Sequence, residues 1–335
     1  MRYRATVVWI CGLLLAVPSA FGQQEKLAQT GMKFLSVSVN ARAAGMGDAM
    51  TALEGGSAMM FYNPAGMAYQ QTFANVAFGQ AQWISDIDYN FGSFSLRPAG
   101  GRFGVFGFSV VAIDYGTFLE TIRFDNEQGY LDLGEFSPTA LSVGAGYARS
   151  LTDRFAIGAH VKYALQDLGD SVVELGENEA MTRQDNREGV VAFDFGMLYK
   201  TGFRSLNFAV SARNFAQEIE YEEESFQLPL TLLIGLSMDV MDLMAPGSGS
   251  HALLVSVDAE NPRDFSEQIK IGAEYLFLST FALRAGYVFP TDEQGINLGA
   301  GFRQELGSIG IGIDYAYTDF GIFSEVHRLA LQLSF

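Results

Sequence analysis

From Thr72 to the end of the chain, apolar and polar positions alternate with a period of two. That period sends successive side chains to opposite faces of a strand. Val76, Phe78 and Gln80 alternate with Ala77, Gly79 and Ala81 up to Trp83. In Gly104–Tyr115, Phe106, Phe108, Val110 and Ala112 share one face, and Gly107, Ser109 and Val111 share the other. Further strands are predicted over Phe91–Leu96, Thr139–Ala148, Phe155–Leu165, Val190–Lys200, Leu206–Ile219, Leu230–Val240, Ala252–Ala259, Gln268–Leu278, Phe281–Val288, Ile296–Gln304, Ser308–Tyr317 and Val326–Phe335. The total is about fourteen, an even number within the range of single-chain outer-membrane barrels.

The connections give an independent test, because such barrels alternate short turns at one end with long loops at the other. Pro98–Gly101, Ser150–Asp153, Thr201–Arg204, Ser279–Thr280 and Leu306–Gly307 are short. Gly116–Pro138, Gln166–Gly189 and Glu220–Leu228 are long and fall between them. Asp242–Ser250 is the exception, long where a turn is expected. The expected fold is all-β: a transmembrane antiparallel barrel of about fourteen strands, residues 71–335.

The last strand sharpens this expectation. Leu329, Leu331, Leu333 and Phe335 share one face, with Arg328, Ala330, Gln332 and Ser334 on the other. One face suits lipid and one a polar lumen. A terminal aromatic after such a strand is the insertion signal that the barrel-assembly machinery reads, so outer-membrane lipid and that machinery are expected partners.

Residues 1–22 read as a secretory signal. Arg2 and Arg4 precede a short apolar run, Ala5–Val17, and small residues lead to cleavage near Gly22/Gln23. Cys11, the single cysteine, lies within the apolar run, which excludes a lipid-anchored cysteine and leaves the mature chain without thiol or disulfide chemistry. The formal charge of -17 becomes two units more negative once Arg2 and Arg4 leave, which argues against nucleic acid. The acids crowd the long gaps, where they read as a hydrated outer surface or, more sharply, as a surface for a cation or a basic partner.

Catalytic signals are sparse. His160, His251 and His327 fall on separate strands, and no HExxH, GxSxG or P-loop pattern occurs. A hydrolase would need serine, histidine and acid side chains converging from different strands at one rim. The expectation is no enzyme, no cofactor and no metal. His160 and His327 read as luminal hydrogen-bonding residues, and Trp83, Tyr89, Tyr287 and Tyr317 as interface aromatics.

One stretch fits neither period: Phe34–Ala68, inside the 23–70 segment that precedes the strands. Ala41, Ala43, Ala44, Gly45, Gly47, Ala49 and Ala52 permit close approach to a wall, and Arg42 is its cation. Asn63 is pushed to an extended conformation by Pro64, Gly66 permits a turn, and Ser57 is a candidate cap for a short helix through Tyr62. Irregular backbone at membrane depth must be enclosed by protein. The segment is therefore expected to be a hatch in the lumen, with Arg42 paired to wall carboxylates and Gly45, Gly47, Asn63, Pro64, Ala65 and Gly66 shaping it.

Asn40–Ala49 followed by Tyr62–Ala68 resembles the PorV/PorQ family. Trp83-Ile84-Ser85-Asp86-Ile87, Asp314-Tyr315-Ala316-Tyr317 and His327-Arg328 are similar too. The Asn63-Pro64-Ala65 element is shared with the wider FadL-like group, which implies a fourteen-stranded barrel with an N-terminal hatch. The resemblance implies a non-enzymatic partner in type IX protein secretion that engages cargo or other secretion components. The fold analogy implies an alternative, a FadL-like channel for hydrophobic small molecules.

Overall fold

The computed structural model describes residues 30–175, 181–221, 224–244 and 251–335. The signal and its cleavage point lie outside the described residues, as do Glu177, Glu179, Glu222 and Glu223.

In chain order the strands are β1 (Ala74–Gln82), β2 (Asp88–Leu96), β3 (Val105–Asp114), β4 (Phe118–Arg123), β5 (Tyr130–Phe136), β6 (Thr139–Ser150), β7 (Phe155–Leu175), β8 (Met181–Lys200) and β9 (Asn207–Ala216). They continue with β10 (Ile219–Tyr221), β11 (Glu224–Phe226), β12 (Thr231–Asp239), β13 (His251–Pro262), β14 (Gln268–Phe277), β15 (Phe281–Phe289), β16 (Asn297–Leu306), β17 (Ile309–Asp319) and β18 (Glu325–Ser334). All of these except β4–β5 and β10–β11 form one closed antiparallel barrel of fourteen strands. β1 closes it against β18, with Phe78 opposite Leu331. Ala74 and Phe335 exchange both backbone bonds at the seam, at 3.2 and 2.9 Å. Closure leaves no strand edge to be satisfied by lipid.

The wall is turned inside out relative to a water-soluble sheet. Along β15, Leu283 is 63% exposed while its neighbour Arg284 is 3% exposed. Leucine outward and arginine inward is the stable choice in hydrocarbon, where an outward-facing arginine at the midplane costs about 2–4 kcal/mol. The last strand follows the same rule, with Arg328 buried and Leu329 and Phe335 exposed. Tyr89 departs from the interface position expected of it and is buried. It shares strand parity with Phe91, Ser93 and Ser95, all inward, and lies in one apolar cluster with Phe34 and Leu35.

The long gaps hold more strand than their sequence suggests. β4 pairs with β5 and β10 with β11, and β7 and β8 run on as a hairpin to Leu175 and Met181. β4 and β5 bury neither face, so the one-sided alternation that marks a strand is absent there. At Asp242–Ser250 a short helix, Met241–Met244, explains part of the extra length.

Residues 30–73 run inside this wall. Thr30 bridges to Gln227 at the long-loop end, and its hydroxyl donates to Asp264 at 2.6 Å, where Lys33 is also paired. The segment then passes down the lumen to the short-turn end. Helix α1 (Ala41–Gly45) touches β15, β16, β17 and β18; the 3-10 turn Ser57–Phe61 touches β1, β2 and β3; the 3-10 turn Pro64–Tyr69 touches β6, β7 and β8. A stretch that meets the strands all round a closed barrel occupies its interior.

Candidate functional site: the occupied lumen

α1 starts at Asn40, whose Oδ1 accepts from the backbone of Arg42 at 2.9 Å and of Ala43 at 3.3 Å. This cap sets the helix, and its small residues let the helix backbone reach the wall. A methyl group placed on Gly45 would meet Gly299 Cα at 3.0 Å. Gly47 has φ 60°, a left-handed conformation that disfavours a side chain, and abuts Gly286 and Tyr287.

The same helix carries Arg42 to Glu274 on β14. Its Nε donates to Oε2 at 2.9 Å and its Nη2 to Oε1 at 2.8 Å. This two-toothed geometry is the strong form of an arginine–carboxylate bond. Glu274 also accepts from Arg284 at 2.6 Å and Arg303 at 3.2 Å, and Arg284 reaches Asp314 at 2.7 Å. Five charged groups from four strands and α1 thus form one latch, with Glu274, Arg284 and Asp314 buried and Arg42 and Arg303 half-buried.

Asn63, Pro64, Ala65 and Gly66 make a second anchor on the opposite wall. Asn63 is extended, at φ -146° and ψ 105°, and its Oδ1 accepts from Ala65 at 3.0 Å. Its Nδ2 donates to Thr51 O at 2.7 Å and Met197 O at 3.2 Å, tying two parts of the segment to β8. Pro64 opens the 3-10 turn, and Gly158 and Gly196 clear space for Pro64, Ala65 and Asn63. Gly66 sits so close to the Leu53 carbonyl that an added methyl would lie 2.6 Å from it. Ser57 does not cap its turn. Gly56 holds the cap position, and the Ser57 hydroxyl turns to Asn75 at 3.0 Å and Ser93 at 2.8 Å, because it is fully buried against polar wall groups.

At the short-turn end the segment is held by half-buried groups. Lys200 pairs with Glu54 at 2.8 Å and lies 3.7 Å over the Tyr69 ring. Burial, with Glu54 and Asp153 nearby, pushes the Tyr69 phenol up to about 12. Open vestibules of about 510 and 430 Å³ flank Arg42 at this end.

One arrangement escaped the sequence. Ser109 on β3, His160 on β7 and Asp194 on β8 form a chain, with Ser109 Oγ 2.9 Å from Nε2 and Nδ1 2.9 Å from Asp194 Oδ2. With Asp194 ionised, Nδ1 donates to it and the Ser109 hydroxyl donates to Nε2. The order matches nucleophile, base and acid, but the surroundings do not. Asp194 also accepts Lys162 through both oxygens, at 2.9 and 2.8 Å, and the Asn214 backbone at 2.7 Å. The three residues meet under Phe34–Val39 at a closed cavity of about 40 Å³, not at an open rim. A carboxylate saturated by lysine and a serine in mid-strand make a structural network. Its signal in the sequence was the inward parity of His160 and Lys162, since charge inside a spanning strand must face the lumen.

The family model described as "Type IX secretion system membrane protein PorP/SprF" matches residues 56–331. The chain belongs to this family. The PorP/SprF match covers the barrel from the Ser57–Phe61 turn to β18. No curated protein matches in sequence. Solved structures share the fold of this PorP/SprF chain. The toluene transporter TbuX of Ralstonia pickettii is 13% identical at a TM-score of 0.59, over 89% of this chain and 98% of that one. TodX of Pseudomonas putida, also a toluene transporter, is 12% identical at 0.58 with the same coverages. A FadL homologue of Pseudomonas aeruginosa is 11% identical at 0.55, again over 89% and 98%. The PorP/SprF chain is thus an outer-membrane barrel of FadL-like fold in a type IX secretion family. The family that matches is PorP/SprF, of the same secretion system, and not the PorV/PorQ family that the motifs resemble.

Proposed function

We propose that this protein is a non-enzymatic outer-membrane partner in type IX secretion, of PorV/PorQ-like character, that engages cargo or other secretion components while residues 30–73 act as a hatch. The match of residues 56–331 to a type IX secretion family carries this reading. The filled lumen supports it: a barrel whose interior is taken up by its own chain serves as a docking body more readily than as a standing pore. The acidic long loops offer the outer contact surface, and cleavage near Gly22/Gln23 with insertion by the barrel-assembly machinery delivers the chain there. Deleting the gene should trap cargo in the periplasm, assayed by fractionation and surface labelling. Normal cargo display in the deletion strain would end the proposal.

A second reading, a FadL-like channel for hydrophobic small molecules, rests on the fold shared with the toluene transporters. The enclosed luminal cavity favours it less, since at about 40 Å³ it has room for roughly three waters. Unchanged uptake of apolar solutes in the same deletion strain would remove it.

A further inference from the structure

Outside the lumen, the short-turn rim is basic on one side only. Arg97 and Arg102 stand at the β2–β3 turn, Arg149 and Arg154 at β6–β7, and Lys200 and Arg204 at β8–β9. The strands that carry these turns are contiguous in the barrel, so the cations form one arc. The acids nearest to it are Asp153 and Glu54, and Glu54 is taken by Lys200 at 2.8 Å. The opposite arc, from the β12–β13 turn to β16–β17, carries Asp239, Asp242 and Glu305, and Arg303 beside it turns inward to Glu274. Arg102, Arg149, Arg154 and Arg204 are exposed, and among the described residues none of them forms an ion pair.

The acidic long loops do not neutralise this arc. They lie at the other end of the barrel, across an apolar band about 25 Å tall, against a screening length of about 8 Å. Lipid does not account for it either. Every short turn carries an exposed apolar side chain, Phe103, Leu151, Phe203, Leu243, Leu278 or Leu306, as a membrane rim requires all round. The apolar ring is complete and the basic arc is not, so the charge answers to something that approaches from one side. Local geometry joins the turns of the arc. Gly202, at φ 82°, gives Arg154 room to cross to the next turn, since a methyl group there would lie 2.5 Å from its Nη1. The arc also borders the luminal segment. Arg97 donates to the Gln71 carbonyl at 3.1 Å, and Lys200 and Arg204 line the vestibule of about 430 Å³.

We propose that this arc is a docking face for a periplasmic protein that presents an acidic segment, its carboxylates held by the forked guanidinium groups of Arg102, Arg149, Arg154 and Arg204. A second copy of this chain in the same membrane does not fit, because its acidic loops lie on the far side. The docking face is independent of both the secretion and the channel reading.

Full-length protein in phosphatidylcholine nanodiscs is titrated with a fluorescein-labelled twelve-residue peptide of alternating glutamate and serine, blocked at both ends. Anisotropy should rise to saturation at low salt. Arg102→Gln, Arg149→Gln, Arg154→Gln and Arg204→Gln together should weaken binding about tenfold or more. Glu305→Gln, on the opposite arc, should not weaken it. If the fourfold variant does not fold, the pairs Arg102→Gln/Arg204→Gln and Arg149→Gln/Arg154→Gln are read in its place, with a loss of about threefold expected of each. No saturation by the acidic peptide would overturn the proposal, as would equal affinity in wild type and the arginine variants. Phosphatidylglycerol retained through delipidation by wild type and not by the variant, with no peptide bound, would also overturn it and assign the arc to lipid headgroups.

Discussion

On the β14–β17 wall, α1 lies backbone to backbone against Gly299 and Gly286, and Arg42 is bound through two nitrogens to Glu274. On the β3–β9 wall, Phe34–Val39 lies over a cavity, and the charges below it, Lys162 and Asp194, bind each other and not the segment. One side therefore holds the luminal segment by ion pairs that cross from segment to wall. Beneath Phe34–Val39 the other wall only carries a polar network complete within itself, and it holds the segment further along through Asn63 and the half-buried Lys200–Glu54 pair. Breaking the first releases the segment; breaking the second perturbs the wall beneath it.

Glu274→Ala has the largest expected effect. It removes the carboxylate from Arg42 and Arg303 and leaves Arg284 with Asp314 alone, and losing one partner of a buried pair costs about 3–5 kcal/mol. Urea unfolding in detergent micelles should shift strongly, and the segment should become accessible to protease. A loss below 1 kcal/mol would dissolve the contrast between the two walls.

Asn63→Ala comes next. It orphans the Ala65 N–H and the Thr51 and Met197 carbonyls, at about 1–3 kcal/mol for a buried group left unpaired. Its signature is a rise in proteolysis near residues 51–66 with the barrel's heat-resistant mobility on a gel retained.

How far the chain could be read beforehand follows the same division. The wall strands were legible because each has one face in lipid and one in the lumen, as Leu283 and Arg284 show. The β4–β5 hairpin was not, because it buries neither face. Within the lumen, Arg42 and Asn63 stood out by residue type and by the proline that follows Asn63. Their partners, Glu274 and Met197, did not, since alternation assigns a face but not a register. The Ser109–His160–Asp194 chain depended on the β7–β8 register that sets His160 opposite Asp194, and the Asn214 contact to Asp194 on a β8–β9 shift that no local pattern announces.

Ser109→Ala should cost about 1 kcal/mol, the net worth of one hydrogen bond. Wild type should also resist a fluorophosphonate probe, because the hydroxyl lies in a closed network. Covalent labelling of Ser109 would convert the structural network into an active site and overturn the comparison.

The smallest effect concerns the short-turn end. The Tyr69 phenol, raised from 10.0 to about 12, holds its proton more tightly in the folded chain. Its contribution is fully present below pH 10.0 and is lost as pH rises toward 12. Tyr69→Phe should flatten the fall in unfolding temperature over that window. An identical alkaline profile in the variant would show that the environment of Tyr69 is not felt by the fold.

The central claim is that the chain's own N-terminal segment closes the barrel. Single-channel recording in planar bilayers tests it most directly, comparing wild type with a chain lacking residues 34–68. The account predicts a closed wild type and an open, steadily conducting variant. Equal conductance in the two would mean that the segment does not seal the lumen.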